Sequence, residues 1–122
     1  MIYTSYFANL KNIPENITPI AICRFPPKSW YGTRAYTLIP TLKALKDYQN
    51  TGDEETFRKR YFEGIDGLDA KLLANILAQM NPNSDTHDVV LVCYEGPGKF
   101  CHRHLVAEWF NANGIECKEW EG

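Results

Sequence analysis

The sequence lacks a long apolar run and a strong excess of charge of either sign. No stretch approaches the roughly 18 consecutive apolar residues expected of a membrane-spanning helix. Thirteen Lys and Arg residues against fifteen Asp and Glu residues leave a formal net charge of −2, which gives no sign of a broad basic surface for nucleic acid. The first residues, MIYTSYFANLK, lack the basic start and apolar stretch of a signal peptide. We therefore expect a cytoplasmic protein that does not contact a membrane.

Cysteine is also scarce. The four cysteines, Cys23, Cys93, Cys101 and Cys117, are too few and too unevenly spaced for a disulfide scaffold, so we expect free thiols. A hydrophobic content of 44% over 122 residues is enough for a hydrophobic core, and no repeat or linker divides the chain. Residues 1–122 are therefore interpreted as a single domain.

The order of the predicted elements favours an α/β domain with a small, mainly parallel sheet flanked by helices. Strands are predicted over residues 2–10, residues 20–23 and residues 89–92, with a short edge strand over residues 115–120. Three helices are predicted between the second and third strands: residues 40–50, a helix that starts with a capping box over residues 51–54, and a helix capped by Asp69. The third of these has an apolar stripe predicted to be buried, which consists of Leu72, Leu73, Ile76, Leu77 and Met80.

The most informative stretch is VVLVCYEGPGKFCHRHLVAEWF, residues 89–110. It predicts a buried strand, a glycine-rich turn and an amphipathic helix that ends near Asn113 and Gly114. Ligands of parallel sheets gather beyond the carboxyl ends of the strands. Arg24 follows one predicted strand and Glu95 follows another, so we expect both side chains near that edge.

The helix after the turn places His102 on its core-facing side and His104 toward solvent, at about 100° per residue. We place Cys101 in the first helical turn, where the helix dipole and a nearby His102 or Arg103 would lower its thiol pKa. Cys101 is thus a candidate nucleophile, His102 a proton shuttle or orienting group, and Glu95 a general base. Cys93, at the end of a buried strand, could act as a resolving thiol. Structural roles for these residues, including a buried His102 bonded to a carbonyl, remain open.

The same turn could instead bind an anion. Gly96 and Gly98 would let the backbone approach a phosphate or carboxylate, and Arg24 and Arg103 would supply bidentate donors. The turn matches neither a Walker loop nor a dinucleotide fingerprint. A metal site is a further alternative, but we predict none, because a paired C-x2-C is lacking and adjacent Cys101 and His102 would diverge along a helix.

The C-x-E of residues 93–95 and the C-H-R of residues 101–103 resemble the signature of the family called domain of unknown function 488. Members also carry an arginine followed by prolines and a serine after an early strand, which Arg24, Pro26, Pro27 and Ser29 resemble. Ile22 departs from the pattern, because members have an acidic residue there. The resemblance implies a small prokaryotic or phage-type cytoplasmic protein and one constellation formed by Arg24, Cys93, Glu95, Cys101, His102 and Arg103. Ser29, in the element that follows Arg24, is a further candidate ligand-binding residue. It implies no particular reaction and identifies no cofactor.

Two functions from different classes follow. The first is binding of a small anionic or nucleotide-like ligand at the strand–turn–helix junction, with thiol-dependent group transfer or hydrolysis. The second is a non-enzymatic module that sequesters a ligand or binds a protein, with structural cysteine and histidine. Nucleic-acid binding is less favoured. It rests on Lys28, Trp30, Tyr31 and Arg34, which lie in one predicted loop over residues 26–40.

Overall fold

The fold is a five-stranded, all-parallel sheet with the strand order β3-β2-β4-β1-β5. This computed structural model describes residues 1–83, 85–96 and 100–121. Its strands are β1 (Ile2–Tyr6), β2 (Thr18–Ala21), β3 (Thr33–Arg34), β4 (Val89–Cys93) and β5 (Cys117–Glu119). Its α-helices are α1 (Leu42–Thr51), α2 (Glu54–Ile65), α3 (Ala70–Gln79) and α4 (His102–Ala112). The predicted α/β class is confirmed.

The central strand β4 is buried along its whole length, as its apolar sequence predicted. Val89 and Leu91 belong to the large core that contains buried apolar residues from all four α-helices. Val90 and Val92 belong to a smaller cluster on the opposite face, which includes Trp30 and Trp120. Since side chains alternate along a strand, the α-helices cover one face of the sheet and a thin aromatic layer covers the other.

The predicted first strand is too long. β1 ends at Tyr6, and residues Phe7–Asn12 form a 3-10 helix that carries the chain toward β2. The predicted loop over residues 26–40 likewise contains the short strand β3 and a 3-10 helix over Tyr36–Leu38. β-branched and aromatic residues indicated strand in the first segment, but tertiary packing decided where the strand stopped.

The helix starts follow local chemistry. Thr41, Asp53 and Asp69 each accept a hydrogen bond from a backbone N–H in the first turn of α1, α2 and α3. The predicted cap at Asp69 is therefore confirmed. The second helix begins at the predicted residues 51–54, but its N-cap is Asp53, and Thr51 is the last residue of α1. The predicted buried stripe of α3 is wrong at two positions, because Leu72 and Ile76 are exposed while Leu73 and Leu77 are buried. None of the helices in the described part of the chain is long and apolar enough to cross a membrane.

Candidate functional site

The site is built where the neighbouring strands β2 and β4 end. Ala21 lies in register with Val92, and the N–H of Ile22 donates to the carbonyl of Val92 at 3.1 Å, so the two chains leave the sheet side by side. Arg24 follows β2 and Glu95 follows β4. The parallel register therefore brings the two segments that carry these residues to one edge of the sheet.

A cavity of about 280 Å³ lies at this edge. Its lining combines the ends of the two strands, the start of α4 and residues from α1 and α2. The predicted site residues that line it are Arg24, Cys93, Glu95, Cys101 and His102. Arg103, Ser29 and Gly96 do not line it, and Gly98 lies outside the described residues.

Cys93 and Cys101 form a disulfide, with their Cα atoms 7.3 Å apart. The expectation of free thiols is therefore wrong for this pair and holds for Cys23 and Cys117, which are free and buried. Sequence spacing did not indicate the pair because the chain turns back between β4 and α4, which brings together residues that are 8 apart in sequence. Cys101 is the N-cap of α4 rather than a residue of its first turn, and its backbone is extended (φ −149°, ψ 142°).

The two free cysteines are poor nucleophiles. Burial raises the pKa of the Cys117 thiol to about 12, and the nearby Glu119 carboxylate adds to this effect. Burial also raises the pKa of Cys23, although its own backbone and Arg34 oppose the shift. Because the thiolate is the reactive form, neither Cys23 nor Cys117 is suited to thiol chemistry at neutral pH.

His102 is buried and fixed by the main chain. Its Nε2 lies 2.6 Å from the carbonyl oxygen of Ile22, and since a carbonyl only accepts, Nε2 carries the proton of the neutral ring. Burial lowers the pKa of His102 to about 4; the hydrogen bond to Ile22 opposes this shift and Arg103 adds to it. His102 is thus neutral near pH 7. His104 is exposed, as its helical position predicted.

Arg103 is completely buried. Its guanidinium pairs with the Glu119 carboxylate at 3.1 Å, and its Nη1 donates to Cys93 Sγ at 3.3 Å and to the backbone carbonyl of Glu95. The guanidinium also lies 5.5 Å from the centre of the Tyr6 ring. Arg103 therefore contacts Cys93 and the Glu95 backbone from the side away from the cavity. The sequence had predicted that Arg103 would contact a ligand directly.

Arg24 and Glu95 are placed differently from Arg103. Arg24 is half-buried and its Nε donates to the carbonyl of Pro40 at 3.1 Å, which leaves its terminal nitrogens without a partner among the described residues. The Glu95 side chain is exposed and has no hydrogen-bonded or ionic partner in the same part of the chain. Both charged groups are thus available to a ligand.

Ser29 and Gly96 are less closely connected with the cavity. Ser29 is exposed. A Cβ built on Gly96 would meet nothing within 4 Å, so the described structure does not require a glycine there. Contacts within the described protein therefore do not explain a glycine at this position, and the close approach of its backbone to an anion stays a prediction.

Sequence reasoning missed two features of the site. The first is its aromatic wall. Tyr48 on α1 and Phe57 on α2 line the cavity, and the centre of the Phe100 ring lies 5.2 and 5.7 Å from the centres of their rings. The second is Glu119, the carboxylate partner of Arg103. The available signal was an acidic residue, two positions after Cys117, in a segment predicted to be a short edge strand.

In the predicted loop over residues 26–40, one of the two residues proposed to stack on nucleic acid packs against the sheet instead. The Trp30 ring packs edge-on against Phe7 with ring centres 5.4 Å apart, and Trp30 belongs to the smaller core cluster. Tyr31 and Lys28 are exposed. Trp30 therefore stabilises the face of the sheet, which weakens the case for a nucleic-acid stacking loop.

Cys93, Cys101 and His102 are also the residues that could hold a metal ion. Their ligand atoms lie within 4.8 Å of one another, because the N-cap position of Cys101 removes the divergence expected along a helix. The disulfide occupies both sulfur atoms, so any such coordination would first require reduction.

A family model described as the active DUF488-N3 subclade matches residues 6–114. The matched region contains every residue of the cavity. No curated protein and no solved structure matches the chain.

Proposed function

Because the chain belongs to the active DUF488-N3 subclade, a family whose function is unknown, we propose its function from the cavity: a thiol-dependent transferase or hydrolase that binds a small anionic, nucleotide-like ligand. One observation carries the proposal. The sulfur atoms of Cys93 and Cys101 and a ring nitrogen of His102 converge at an aromatic cavity that Arg24 and Glu95 also line.

The cavity walls favour a planar ligand with a negative charge. Phe25, Tyr48, Phe57, Tyr94 and Phe100 supply aromatic surface on which a heterocyclic ring can stack. The free terminal nitrogens of Arg24 form the planar donor pair that suits a phosphate or carboxylate. Glu95 can accept hydrogen bonds from ring or amino N–H groups, which distinguishes a nucleobase from a plain aromatic acid.

The contacts of the two sulfur atoms favour Cys93 as the nucleophile of the reduced chain. Arg103 donates directly to Cys93 Sγ, and a buried cation beside a thiol favours the thiolate. Cys101, which the sequence favoured, makes no side-chain hydrogen bond at its N-cap position. We therefore assign attack to Cys93 and the resolving role to Cys101.

The proposed reaction uses residues with separate tasks. Cys93 Sγ forms a bond to the transferred group, and the leaving group departs with the electrons of the broken bond. In hydrolysis, Glu95 takes a proton from the water that releases the group and restores the thiolate. The low pKa of His102 suits a neutral ring that orients neighbouring groups and does not store a proton near pH 7.

Binding of nucleoside monophosphates to the chemically reduced chain tests the ligand class. Titration calorimetry should detect binding of at least one of AMP, GMP, CMP and UMP, and Arg24→Ala should weaken it by roughly tenfold or more, because a charge-assisted hydrogen bond is lost. Arg60→Ala removes an arginine that pairs with Asp47 away from the cavity and should leave the affinity unchanged. No binding by any of the four, or equal loss in both variants, contradicts the proposed ligand.

Turnover of the ligand identified in this way tests the thiol chemistry. Cys93→Ser should abolish product formation while retaining binding, and Cys117→Ser should retain both. Binding without turnover, with an affinity that Cys93→Ser does not change, would instead favour the non-enzymatic, ligand-sequestering function.

A further inference from the structure

The Cys93–Cys101 disulfide lies in the wall of the cavity, and this position has a chemical consequence of its own. Both cysteines line the cavity, whose lining also includes the exposed side chains of Phe25 and Tyr94. A small molecule that enters the cavity therefore meets a sulfur–sulfur bond.

We infer that this disulfide is a redox-active centre that exchanges with small-molecule thiols and disulfides, with the incoming thiol attacking Sγ of Cys101. This activity goes beyond the proposed ligand chemistry, because it requires only the disulfide, the cavity and Arg103. The substrates belong to the class of low-molecular-weight thiols and their disulfides.

The direction of attack follows from the unequal surroundings of the two sulfur atoms. In thiol–disulfide exchange, the sulfur that becomes the better-stabilised thiolate is the better leaving group. Arg103 Nη1 donates to Cys93 Sγ at 3.3 Å from a fully buried guanidinium. The N-terminus of α4 also favours negative charge on Cys101, but the Cys101 side chain makes no capping hydrogen bond. The direct contact outweighs the dipole, so Cys93 leaves and Cys101 is attacked.

Access from the cavity allows this direction of attack. Both cysteines line the cavity, and both residues are otherwise nearly fully buried. An incoming thiolate can therefore reach Cys101 from the cavity while the leaving Cys93 sulfur remains against its guanidinium donor. The cavity admits the thiolate, and leaving-group stability selects Cys101 as the residue that it attacks.

The exchange balances with two equivalents of thiol. The first thiolate forms a bond to Cys101 Sγ, the Cys93–Cys101 bond breaks, and its electron pair stays on Cys93 Sγ. A second thiolate attacks the small-molecule sulfur of the mixed disulfide and releases the Cys101 thiolate. Overall, two thiols are oxidised to one small disulfide and the protein disulfide is reduced to two thiols. The reverse sequence oxidises the protein at the expense of a small disulfide.

Mapping of the mixed disulfide on the folded wild-type protein tests the inference. The oxidised chain is mixed with glutathione, quenched with acid at short times, alkylated and analysed by peptide mass spectrometry. We expect glutathione on Cys101 with an alkyl group on Cys93, followed by the doubly alkylated chain. Glutathione mainly on Cys93, or no exchange in the folded chain when the denatured chain reacts, would overturn the inference.

Two variants separate the role of Arg103 from general accessibility. Arg103→Lys keeps the charge but cannot reach Cys93 Sγ, the Glu95 carbonyl and Glu119 together. It should slow exchange roughly tenfold and raise the share of glutathione on Cys93. Cys117→Ser should match the wild type in rate and in position of the adduct. An unchanged rate and position in a folded Arg103→Lys chain would refute the leaving-group argument, and the wild-type map decides the matter if that variant does not fold.

Discussion

The buried guanidinium of Arg103 connects the chemistry of the site with the stability of the fold. A charge removed from water costs several kcal/mol unless other groups replace its solvent contacts. Glu119 supplies the opposite charge at 3.1 Å, and Cys93 Sγ and the Glu95 carbonyl accept the remaining hydrogen bonds. The residue that donates to Cys93 Sγ is therefore also one whose partners the fold needs for its stability.

His102 should make the stability of the oxidised protein depend on pH. Its pKa of about 4 in the folded chain lies below the ordinary value of 6.5, so between these values the unfolded chain binds more protons than the folded chain. Above pH 6.5 the ring is neutral in both states, so His102 does not lower the free energy of unfolding there. As the pH drops from 6.5 toward 4, protonation of His102 in the unfolded chain should lower that free energy. The fall amounts to about 3 kcal/mol. Urea denaturation at a series of pH values measures it.

A His102→Gln variant provides the comparison for this measurement, because its amide can still donate to the Ile22 carbonyl but does not titrate. The difference in unfolding free energy between wild type and variant should shrink or change sign as the pH falls. A difference that stays constant from pH 7 to pH 4 would show that His102 is not buried as a neutral ring.

At the scale of elements, α3 shows how packing selects one side of an apolar helix. Leu72 and Leu77 both belong to its apolar stripe, but Leu72 is 56% exposed whereas Leu77 is completely buried. The apolar stripe of α3 is thus wider than the part of the helix surface that packs against the core. Periodicity predicts which residues share a helix face, and the position of the neighbouring elements decides how much of that face is covered.

Matched substitutions in α3 test this orientation. Leu77→Ala should lower the free energy of unfolding by about 2–5 kcal/mol, because it removes a fully buried side chain and leaves a cavity. Leu72→Ala should change it by less than about 1 kcal/mol, since most of that side chain stays in water and alanine is a good helix former. Denaturant unfolding of both variants measures the two values, and similar losses would contradict the orientation of α3.

The elements were more predictable from the sequence than their connections. Local signals located the central strand, the start of α2, the cap at Asp69 and the inward side of His102, because each depends on neighbouring residues. The disulfide and the Arg103–Glu119 pair depend instead on how the chain returns between strands. A pattern of residue types does not determine how the chain runs between distant elements. For the same reason, the sequence placed Cys101 in the first turn of α4, although it is the N-cap of that helix.

At the scale of the whole molecule, the edge strand β5 is tied to the centre through Glu119. Its carboxylate accepts hydrogen bonds from Arg103 on α4 and from Thr4 Oγ1 on β1 at 2.6 Å. The parallel sheet allows this because β1 lies between β4 and β5. Three elements that are distant in sequence thus meet at one carboxylate behind the cavity.

Removal of this carboxylate should destabilise the whole protein. Glu119→Ala leaves the buried Arg103 without its counter-charge and should lower the free energy of unfolding by about 3–5 kcal/mol. Glu121→Ala, two residues further on at an exposed position, should change it by less than about 0.5 kcal/mol. Thermal and denaturant unfolding of the two variants provide the test; equal stability would mean that Arg103 finds another partner.

The cavity has two walls of different origin, and this division has a consequence for evolution. One wall comes from the ends of β2 and β4 and the start of α4, which are embedded in the core. The other comes from α1 and α2, which are consecutive in the chain and pack against each other. On α1, the half-buried Leu45 and the exposed Gln49 line the cavity and lie outside the buried core. Substitutions at these two positions can reshape the cavity without disturbing the cysteines. We therefore expect the shape of the proposed ligand site to diverge readily among descendants of a common ancestor while Cys93 and Cys101 stay constant.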